Sequence, residues 1–241
     1  MPARADAGGG RGLALVIPAY RAAATVGDVV AGARRAVPEA RCYVVDDGSN
    51  DATQEAARAA GAVVLTHGRN LGKGAALATG IAQALSDGAD IIVTLDADGQ
   101  HPPEEIPKLV ARIDQGADLV LGSRDRSGSM PTSRRFTNWL SAKLTSRVTV
   151  APVPDAQTGF RAFTRQLALA VRPPESRYDF EVAFLLKAAI DRYRVVAVRI
   201  PTVYNGGRSY FRSIADSWRV GRVFLRFRRW ILAGSGGRQD A

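Results

Sequence analysis

The sequence is poor in cysteine and has no long apolar run. Cys42 is its one cysteine, so the chain has no intrachain disulfide to stabilise it. No stretch approaches the roughly 20 consecutive apolar residues of a membrane-spanning helix, and any membrane contact is therefore expected at the surface. The amino terminus has no apolar signal core and predicts a disordered tail over 1–11. These absences favour a reducing compartment and a fold that depends on a hydrophobic core.

Negative charge is scarce, and the imbalance is local. The formal net charge is +10, from 33 basic and 23 acidic side chains, which favours an anionic partner. Between Arg208 and Arg229 the chain has seven arginines against Asp216 alone. A nucleic-acid binder would carry basic residues at its strand ends, but the strand ends predicted below are acidic, so we expect no nucleic-acid partner.

The order of apolar runs and helical stretches predicts an α/β fold. At 46% apolar, the 241 residues are sufficient for one sizeable core. Strands are predicted at Leu13–Ile17, Tyr43–Val45, Ala62–Leu65, Ile91–Leu95, Asp118–Leu121 and Val195–Ile200. Helices are predicted at Ala52–Ala60, Ala75–Leu85, Glu104–Ile113, Phe136–Arg147, Arg165–Val171 and Phe180–Ile190, with Gly61, Gly88 and Gly116 as helix stops. The spacing leaves room for crossover helices, so a mostly parallel central sheet follows.

Specific polar residues follow the predicted strands, at the edge where open α/β sheets bind ligands. Asp96 and Asp98, two apart after an apolar strand, project to the same side of an extended chain and would repel each other without a cation. Mg²⁺ or Mn²⁺, held by these carboxylates with Gln100 and substrate phosphates, would remove that repulsion. An ordinary polar turn before the next helix is the alternative.

Two other strand ends carry further candidate residues. Asp46 and Asp47 are adjacent and point to opposite sides, so one is expected to contact a nucleobase or ribose while the other holds the loop. Lys73, at a helix start between two glycines, is placed near a phosphate or base, although the segment lacks the P-loop pattern. A solvated lysine at the helix start is the alternative for Lys73.

These segments together resemble family-2 inverting glycosyltransferases with the GT-A (Rossmann-like) fold, over about residues 12–230. The segments that carry the resemblance are PAYRAAATV at Pro18, VVDDGSNDAT at Val44, GRNLGKGAAL at Gly68, LDADGQHPPEEI at Leu95 and GSR at Gly122. QTGFRAF at Gln157 and YDFE at Tyr178 look like the polyprenyl-phosphate mannose or glucose synthase branch. Arg21-Ala22 stands where the family often has Asn-Glu, which leaves the choice between UDP and GDP open.

The resemblance implies roles for individual residues. Those implied for the nucleotide sugar are Pro18, Ala19, Tyr20, Asp46, Asp47, Lys73, Asp96 and Ala97. Asp96, Asp98 and Gln100 are implied as metal ligands, and Arg124, Arg134, Arg135 and Arg161 as contacts of the acceptor phosphate. Asp98, Arg124 and Arg135 are expected to matter most for catalysis.

The activity implied is inverting transfer of a hexose from UDP-glucose or GDP-mannose to a polyprenyl phosphate. A phosphate acceptor is already an oxyanion and needs positioning more than a base. A hydroxyl acceptor, on a glycolipid or cell-wall glycan, is the alternative and would need Asp179 or Glu181 as base. As acids at the start of a helix, these two residues are also explained by the helix dipole.

The basic carboxyl-terminal segment predicts an amphipathic helix. We expect a catalytic domain over 12–206, a membrane-interface helix over 207–232 and a tail over 233–241. Trp218 and Leu225 belong to an apolar stripe among arginines, which suits a surface of anionic lipid. A helix packed on the domain with its arginines extended into solvent is the alternative. The protein is thus expected at the inner, cytoplasmic face of a membrane, with a separate membrane anchor protein as a further candidate partner.

Overall fold

The computed structural model describes residues 11–124, 145, 153, 155–201 and 213–233. Its strands are β1 (Leu13–Ala19), β2 (Arg41–Asp46), β3 (Val63–Thr66), β4 (Ile91–Thr94), β5 (Leu119–Arg124), β6 (Arg161–Thr164) and β7 (Val195–Ile200). Its helices are α1 (Val26–Ala36), α2 (Thr53–Ala59), α3 (Lys73–Ser86), α4 (Ile106–Asp114), α5 (Arg165–Ala170), α6 (Asp179–Ile190), α7 (Ser213–Arg226) and α8 (Arg228–Ala233). The helix predicted at Phe136–Arg147 lies almost wholly outside the described residues.

The described strands form one sheet in the order β3-β2-β1-β4-β6-β5-β7. β1 pairs in parallel with β2 and β4, β2 with β3, and β5 with β7. The predicted mostly parallel sheet is confirmed. Strand β6, which the sequence pattern did not predict, lies antiparallel between β4 and β5.

The central strand β1 contributes alternate side chains to the core on the two faces of the sheet. Leu15 and Ile17 of β1 pack on one face in the same cluster as Leu109 of α4. Val16 points to the other face and joins the cluster of Leu77 from α3. The period-2 pattern of the strands therefore produces two apolar layers, one on each side of a central sheet.

Glycines end three helices at the predicted positions. Gly61, Gly88 and Gly116 follow α2, α3 and α4 with φ of 89°, 85° and 91°, the left-handed region that favours glycine at a helix end. Cys42 is buried in β2, and this burial raises the pKa of its thiol to about 12. The thiol is therefore neutral at physiological pH and packs as a small apolar side chain.

Helix α7 packs on the domain at α6. Val220 and Val223 of α7, with Phe227, lie against Val182 and Leu186 of α6 in a third apolar cluster. None of the helices in the described part of the chain is long and apolar enough to cross a membrane.

Candidate active site

The site residues predicted at the ends of β1, β2 and β4 lie at one edge of the sheet. Ala19, at the end of β1, pairs in register with Asp46 of β2, and the Asp47 N–H donates to the Ala19 carbonyl at 2.8 Å. On the other side of β1, the Leu95 N–H donates to the Val16 carbonyl at 3.2 Å. Parallel pairing thus brings Pro18–Tyr20, the acids Asp46 and Asp47 at the end of β2 and the acids after β4 to one edge of the sheet.

Asp46 holds the turn that follows β2. Its side chain is fully buried, and its two oxygens accept hydrogen bonds from the Ser49 N–H at 3.2 Å and the Gln54 amide at 2.8 Å. The sequence predicts that one acid of the Asp46–Asp47 pair contacts a nucleobase or ribose. Asp46 is buried and holds this turn, and a contact with the nucleotide stays a prediction for the pair.

Asp47 holds the loop between β3 and α3. One oxygen accepts from the Leu71 N–H at 2.8 Å and contacts His67 Nδ1 at 2.7 Å, while the other accepts from the Gly72 N–H at 2.8 Å. These bonds satisfy backbone donors just before α3 begins. Asp47 therefore also holds a loop, which is the role predicted for one acid of the pair.

The loop after β1 is held by side chains from the β2–α2 turn. Arg21 has a left-handed φ of 51°, its N–H donates to Ser49 Oγ at 2.8 Å, and its guanidinium lies 5.3 Å from the centre of the Tyr20 ring. The Ala22 N–H donates to Thr53 Oγ1 at 2.8 Å. The pair Arg21-Ala22, which departs from the family pattern, thus sits in a loop with defined hydrogen bonds.

Lys73 forms an ionic bridge between the two halves of the chain. Its Nζ lies 2.6 Å from Asp96 Oδ1 and 2.6 Å from Glu181 Oε1. Burial alone would lower the pKa of the Lys73 ammonium, but the charges of Asp96 and Glu181 raise it above its usual value. Lys73 is therefore a permanent cation that neutralises charge between two acids, rather than a solvated lysine at a helix start.

Two glycines make this bridge possible. A Cβ at Gly72, which has a φ of 106°, would lie 2.5 Å from the Ser176 carbonyl oxygen, and a Cβ at Gly74 would lie 2.7 Å from Phe180 Cβ. The Ser176 carbonyl also accepts a hydrogen bond from the Ala75 N–H at 2.9 Å. The Gly-Lys-Gly segment is thus a close packing contact between α3 and the start of α6.

The turn after β4 presents Asp96, Asp98 and Gln100. Asp98 Oδ1 accepts from the Gln100 N–H at 3.0 Å, and Gly99 between them has a φ of 71°. The carbonyl of Ala97, whose side chain is buried, accepts a hydrogen bond from Thr25 Oγ1 at 2.6 Å. These bonds fix the backbone of the turn, so the two carboxylates are carried by a defined loop.

Gly159 lies next to Asp96, although its motif QTGFRAF predicts no role for it. A Cβ at this position would lie 2.5 Å from Asp96 Oδ1 and 2.7 Å from Oδ2. The missing side chain therefore leaves room for the Asp96 carboxylate beside the loop that precedes β6. In the sequence, the only sign of this close approach is the glycine within the segment Gln157-Thr158-Gly159-Phe160.

The residues of the turn fit a hard divalent cation. Asp96, Asp98 and Gln100 offer oxygen donors, the Asp96 carboxylate is 24% exposed, and Gly159 leaves space beside it. Within the described ranges, no group of three His, Cys, Asp or Glu side chains forms a cage that would hold a metal by itself. One or two carboxylates completed by substrate phosphates is the usual arrangement for Mg²⁺.

Glu181, a candidate base, is buried in the first turn of α6 and faces Lys73. Burial raises the pKa of its carboxyl, and the nearby charges of Lys73 and Arg161 oppose that rise. Asp179, the other candidate base, is the first residue of α6 and accepts the Arg177 N–H at 3.2 Å. The position of Asp179 at the helix start suits a carboxylate near the positive end of the helix dipole.

The structure gives Arg161 a different place from the expected acceptor-phosphate clamp. Its guanidinium is buried and donates to the carbonyls of Thr158, Glu181 and Ala156 at 2.8, 2.6 and 3.0 Å. Burial lowers the pKa of the guanidinium to about 10, with nearby acids opposing the fall. Arg161 therefore ties β6 to α6 beneath the site.

The other predicted arginines cannot be placed as contacts. Arg124 ends β5, where its backbone pairs with Ile200. Its side chain lies outside the described residues, as do Arg134 and Arg135.

Replacing Gly159 by alanine is expected to displace the Asp96 carboxylate, because the new Cβ would overlap both of its oxygens. We expect turnover and Mn²⁺ affinity to fall about ten-fold or more, since small displacements of a catalytic group have large effects on rate. Steady-state transfer rates measure the first effect, and titration calorimetry with Mn²⁺ in the presence of a nucleoside diphosphate measures the second. Gly27→Ala is the control, because a Cβ there meets its nearest atom at an ordinary 3.6 Å. Wild-type values in Gly159→Ala would show that Asp96 is not needed in this position.

The chain is similar in sequence to known glycosyltransferases. The model of the family described as Glycosyl transferase family 2 matches residues 14–171. The chain is 32% identical over 230 residues to the undecaprenyl-phosphate mannosyltransferase of Micrococcus luteus, covering 90% of this chain and 93% of that protein. It is 31% identical over 217 residues to the dolichyl-phosphate hexose transferase of Haloferax volcanii, with 89% and 92% covered.

A solved structure of similar fold contains both a metal and a nucleotide. It is glucosyl-3-phosphoglycerate synthase from Mycobacterium tuberculosis in complex with Mn²⁺, uridine diphosphate and phosphoglyceric acid. The superposition has a TM-score of 0.74 at 26% identity and covers 90% of this chain and 78% of that one.

Proposed function

The chain belongs to glycosyl transferase family 2 and has the GT-A fold, and from this premise we propose that it transfers a hexose from a nucleotide-diphosphate sugar to a polyprenyl phosphate. The proposed donor is UDP-glucose or GDP-mannose, and the transfer proceeds with inversion at the anomeric carbon. Relatives named for transfer to undecaprenyl phosphate and dolichyl phosphate support the acceptor class.

On the donor side, Asp96, Asp98 and Gln100 would hold Mg²⁺ or Mn²⁺. When bound, the cation neutralises the diphosphate leaving group. Lys73 keeps the Asp96 carboxylate in place through the 2.6 Å contact and supplies a second positive charge beside it. Pro18, Ala19 and Tyr20 line the nucleoside at the neighbouring strand end.

The observation that carries the choice of acceptor is the environment of Glu181. A base for a hydroxyl acceptor must reach the proton that it removes, but this carboxylate is buried and paired with Lys73. A phosphate acceptor requires no proton removal, because its oxygen is already anionic. Positioning of that oxygen behind the anomeric carbon then becomes the main task of the protein.

Arginines are the side chains suited to that positioning, because a guanidinium binds phosphate through two parallel hydrogen bonds. We assign this role to Arg124, Arg134 and Arg135. Arg124 comes from the carboxyl end of β5, at the same edge of the sheet as the end of β4. The buried Arg161 supports the loop and α6 instead of contacting the acceptor.

A hydroxyl acceptor is the second candidate. The similar structure of glucosyl-3-phosphoglycerate synthase contains phosphoglyceric acid, which is a small hydroxyl-bearing molecule rather than a lipid. If this chain used a hydroxyl, Asp179 would be the better base, since it lies at the start of α6 and is less buried than Glu181.

A lipid acceptor requires the protein to work at a membrane, and we propose the following division of the chain. Residues 12–206 form the catalytic domain and 207–232 contact the membrane, with the protein peripheral on the inner, cytoplasmic face. A separate membrane protein is a further candidate anchor. The donor enters from the aqueous side, and the polyprenyl phosphate stays in the bilayer with its phosphate at the surface.

The test is transfer of radiolabel from UDP-glucose or GDP-mannose into organic-extractable lipid, with detergent-dispersed undecaprenyl phosphate and Mn²⁺ or Mg²⁺. We expect labelling from one donor that disappears with EDTA. The one-bond coupling between C1 and H1 of the transferred sugar, measured by NMR, reports inversion as a β-linkage from an α-linked donor. Label that enters phosphoglyceric acid or a glycan, and not the lipid, would overturn the phosphate acceptor and redirect attention to Asp179 and Glu181.

A further inference from the structure

Helix α7 has two apolar faces, and one of them is already used. Val220 and Val223 are 2% and 3% exposed, and Phe227 just after the helix is 8% exposed, because all three pack on α6. Their spacing of three and four residues is that of one helix face. This face of α7 therefore packs on the domain, as in the alternative prediction for the carboxyl-terminal segment.

The outer side of α7 and α8 carries a second set of large apolar side chains. Trp218, Leu225 and Leu232 are 65%, 62% and 77% exposed. Trp218 and Leu225 are seven residues apart and so lie on the same face of α7. We call Trp218, Leu225 and Leu232 the outer apolar set. Three exposed side chains of this size in neighbouring helices indicate a contact surface rather than isolated exposed residues.

Arginines surround the outer apolar set. Residues 213–233 contain five arginines and one acid, Asp216. The Arg222 guanidinium lies 5.0 Å from the centre of the Trp218 ring, and Arg228 and Arg229 are exposed in α8. Arg226 contacts Glu175 at 2.7 Å, so one of the cations is paired with the domain. The surface therefore combines apolar side chains with a net positive charge.

We propose that the outer apolar set inserts into the interface of a membrane rich in anionic lipid, with the arginines on the headgroups. This proposal rests on the proposed function, since a polyprenyl phosphate acceptor requires the enzyme at a bilayer. Charge complementarity decides the occupant. A second copy would bring arginines against arginines, whereas anionic headgroups attract basic residues next to buried apolar side chains. Tryptophan is also enriched where membrane and water meet.

Helix α6 connects this surface to the candidate active site. Its first turn carries Asp179 and Glu181, and Glu181 contacts Lys73. The same helix packs through Val182 and Leu186 on α7. Val182 follows Glu181 directly in the chain, so α7 packs alongside the part of α6 that carries the site residue. One helix therefore contacts both α7 and the Lys73 bridge of the site.

Vesicle sedimentation tests the proposal without any donor or acceptor. We expect the wild-type protein to sediment with phosphatidylglycerol vesicles and much less with phosphatidylcholine vesicles, with binding reduced by salt. The triple variant Trp218→Ser, Leu225→Ser, Leu232→Ser should bind anionic vesicles about ten-fold or more weakly. Val63→Ser is the control, because Val63 is 52% exposed in the edge strand β3, away from α7 and α8.

Two further measurements distinguish the outcomes. Circular dichroism and transfer to a detergent-dispersed acceptor should be unchanged in the triple variant, which shows that it is folded. Wild-type vesicle binding by the triple variant would overturn the proposal. So would a wild-type dimer in solution that the triple variant breaks. If the wild-type protein binds vesicles but transfers no label to lipid, the proposed function is contradicted while the proposal that the outer apolar set binds a membrane still stands.

Discussion

Replacing Asp98 by asparagine is expected to lower turnover about 10²- to 10³-fold in a protein that remains folded. Asparagine keeps the side-chain oxygen that accepts the Gln100 N–H, so the turn after β4 retains its hydrogen bond. The substitution removes one negative charge from the proposed metal site. Loss of charge stabilisation at a leaving group has effects of this size on rate.

Three measurements separate a metal role of Asp98 from a structural one. Initial rates as a function of Mn²⁺ concentration should show a higher metal requirement, and electron paramagnetic resonance of free Mn²⁺ should show weaker binding in the absence of acceptor. Denaturant unfolding should be nearly unchanged. Asp114→Asn is the matched control, because Asp114 is an exposed acid at the far end of α4. Unchanged Mn²⁺ affinity in Asp98→Asn would contradict the assignment of Asp98 as a ligand.

Features coded locally could be predicted from the sequence. The apolar runs of β1 and β4, the acids that follow them and the glycines that end α2, α3 and α4 each depend on a few neighbouring residues. Parallel pairing then follows from the helix lengths between strands, so the edge of the sheet where Asp47 and Asp96 meet was also predictable.

Features that depend on distant contacts could not be predicted in this way. Strand β6 has four residues and is defined by its antiparallel partners β4 and β5, which nothing in its own pattern specifies. Lys73 and Glu181 are more than 100 residues apart, and their contact depends on how α3 packs against the start of α6. The burial of Asp46 and Arg161 could not be predicted from their residue types, because burial depends on contacts between segments that are distant in the chain.

Replacing Lys73 by methionine is expected to lower the free energy of unfolding by about 3–5 kcal/mol, because the buried Glu181 carboxylate loses the cation that faces it. Glu181→Gln is expected to cost less, about 1–2 kcal/mol, since the amide has a similar shape and Lys73 keeps Asp96 as its partner. The double variant should be more stable than Lys73→Met alone, because it buries no uncompensated charge at position 181. Urea unfolding of the four proteins measures this cycle.

Lys187→Met is the matched control for Lys73→Met. Lys187 also contacts an acid at 2.6 Å, Asp191 on the same helix, but its side chain is 43% exposed. Solvent screens an exposed pair of this kind, so its loss should cost less than about 1 kcal/mol. An equal effect of the two lysine substitutions would show that the Lys73 bridge is not a buried ion pair.

The same variants distinguish a positioning role of Glu181 from a role as base. If Glu181 positions Lys73, its replacement leaves that ammonium to Asp96 alone. The tighter Lys73–Asp96 pair should then compete with Mn²⁺ and weaken metal binding several-fold. If Glu181 is the base, Glu181→Gln should lose most turnover at every metal concentration with unchanged Mn²⁺ affinity. Recovery of the rate of Glu181→Gln at high Mn²⁺ would support the positioning role, and with it a phosphate acceptor that needs no base.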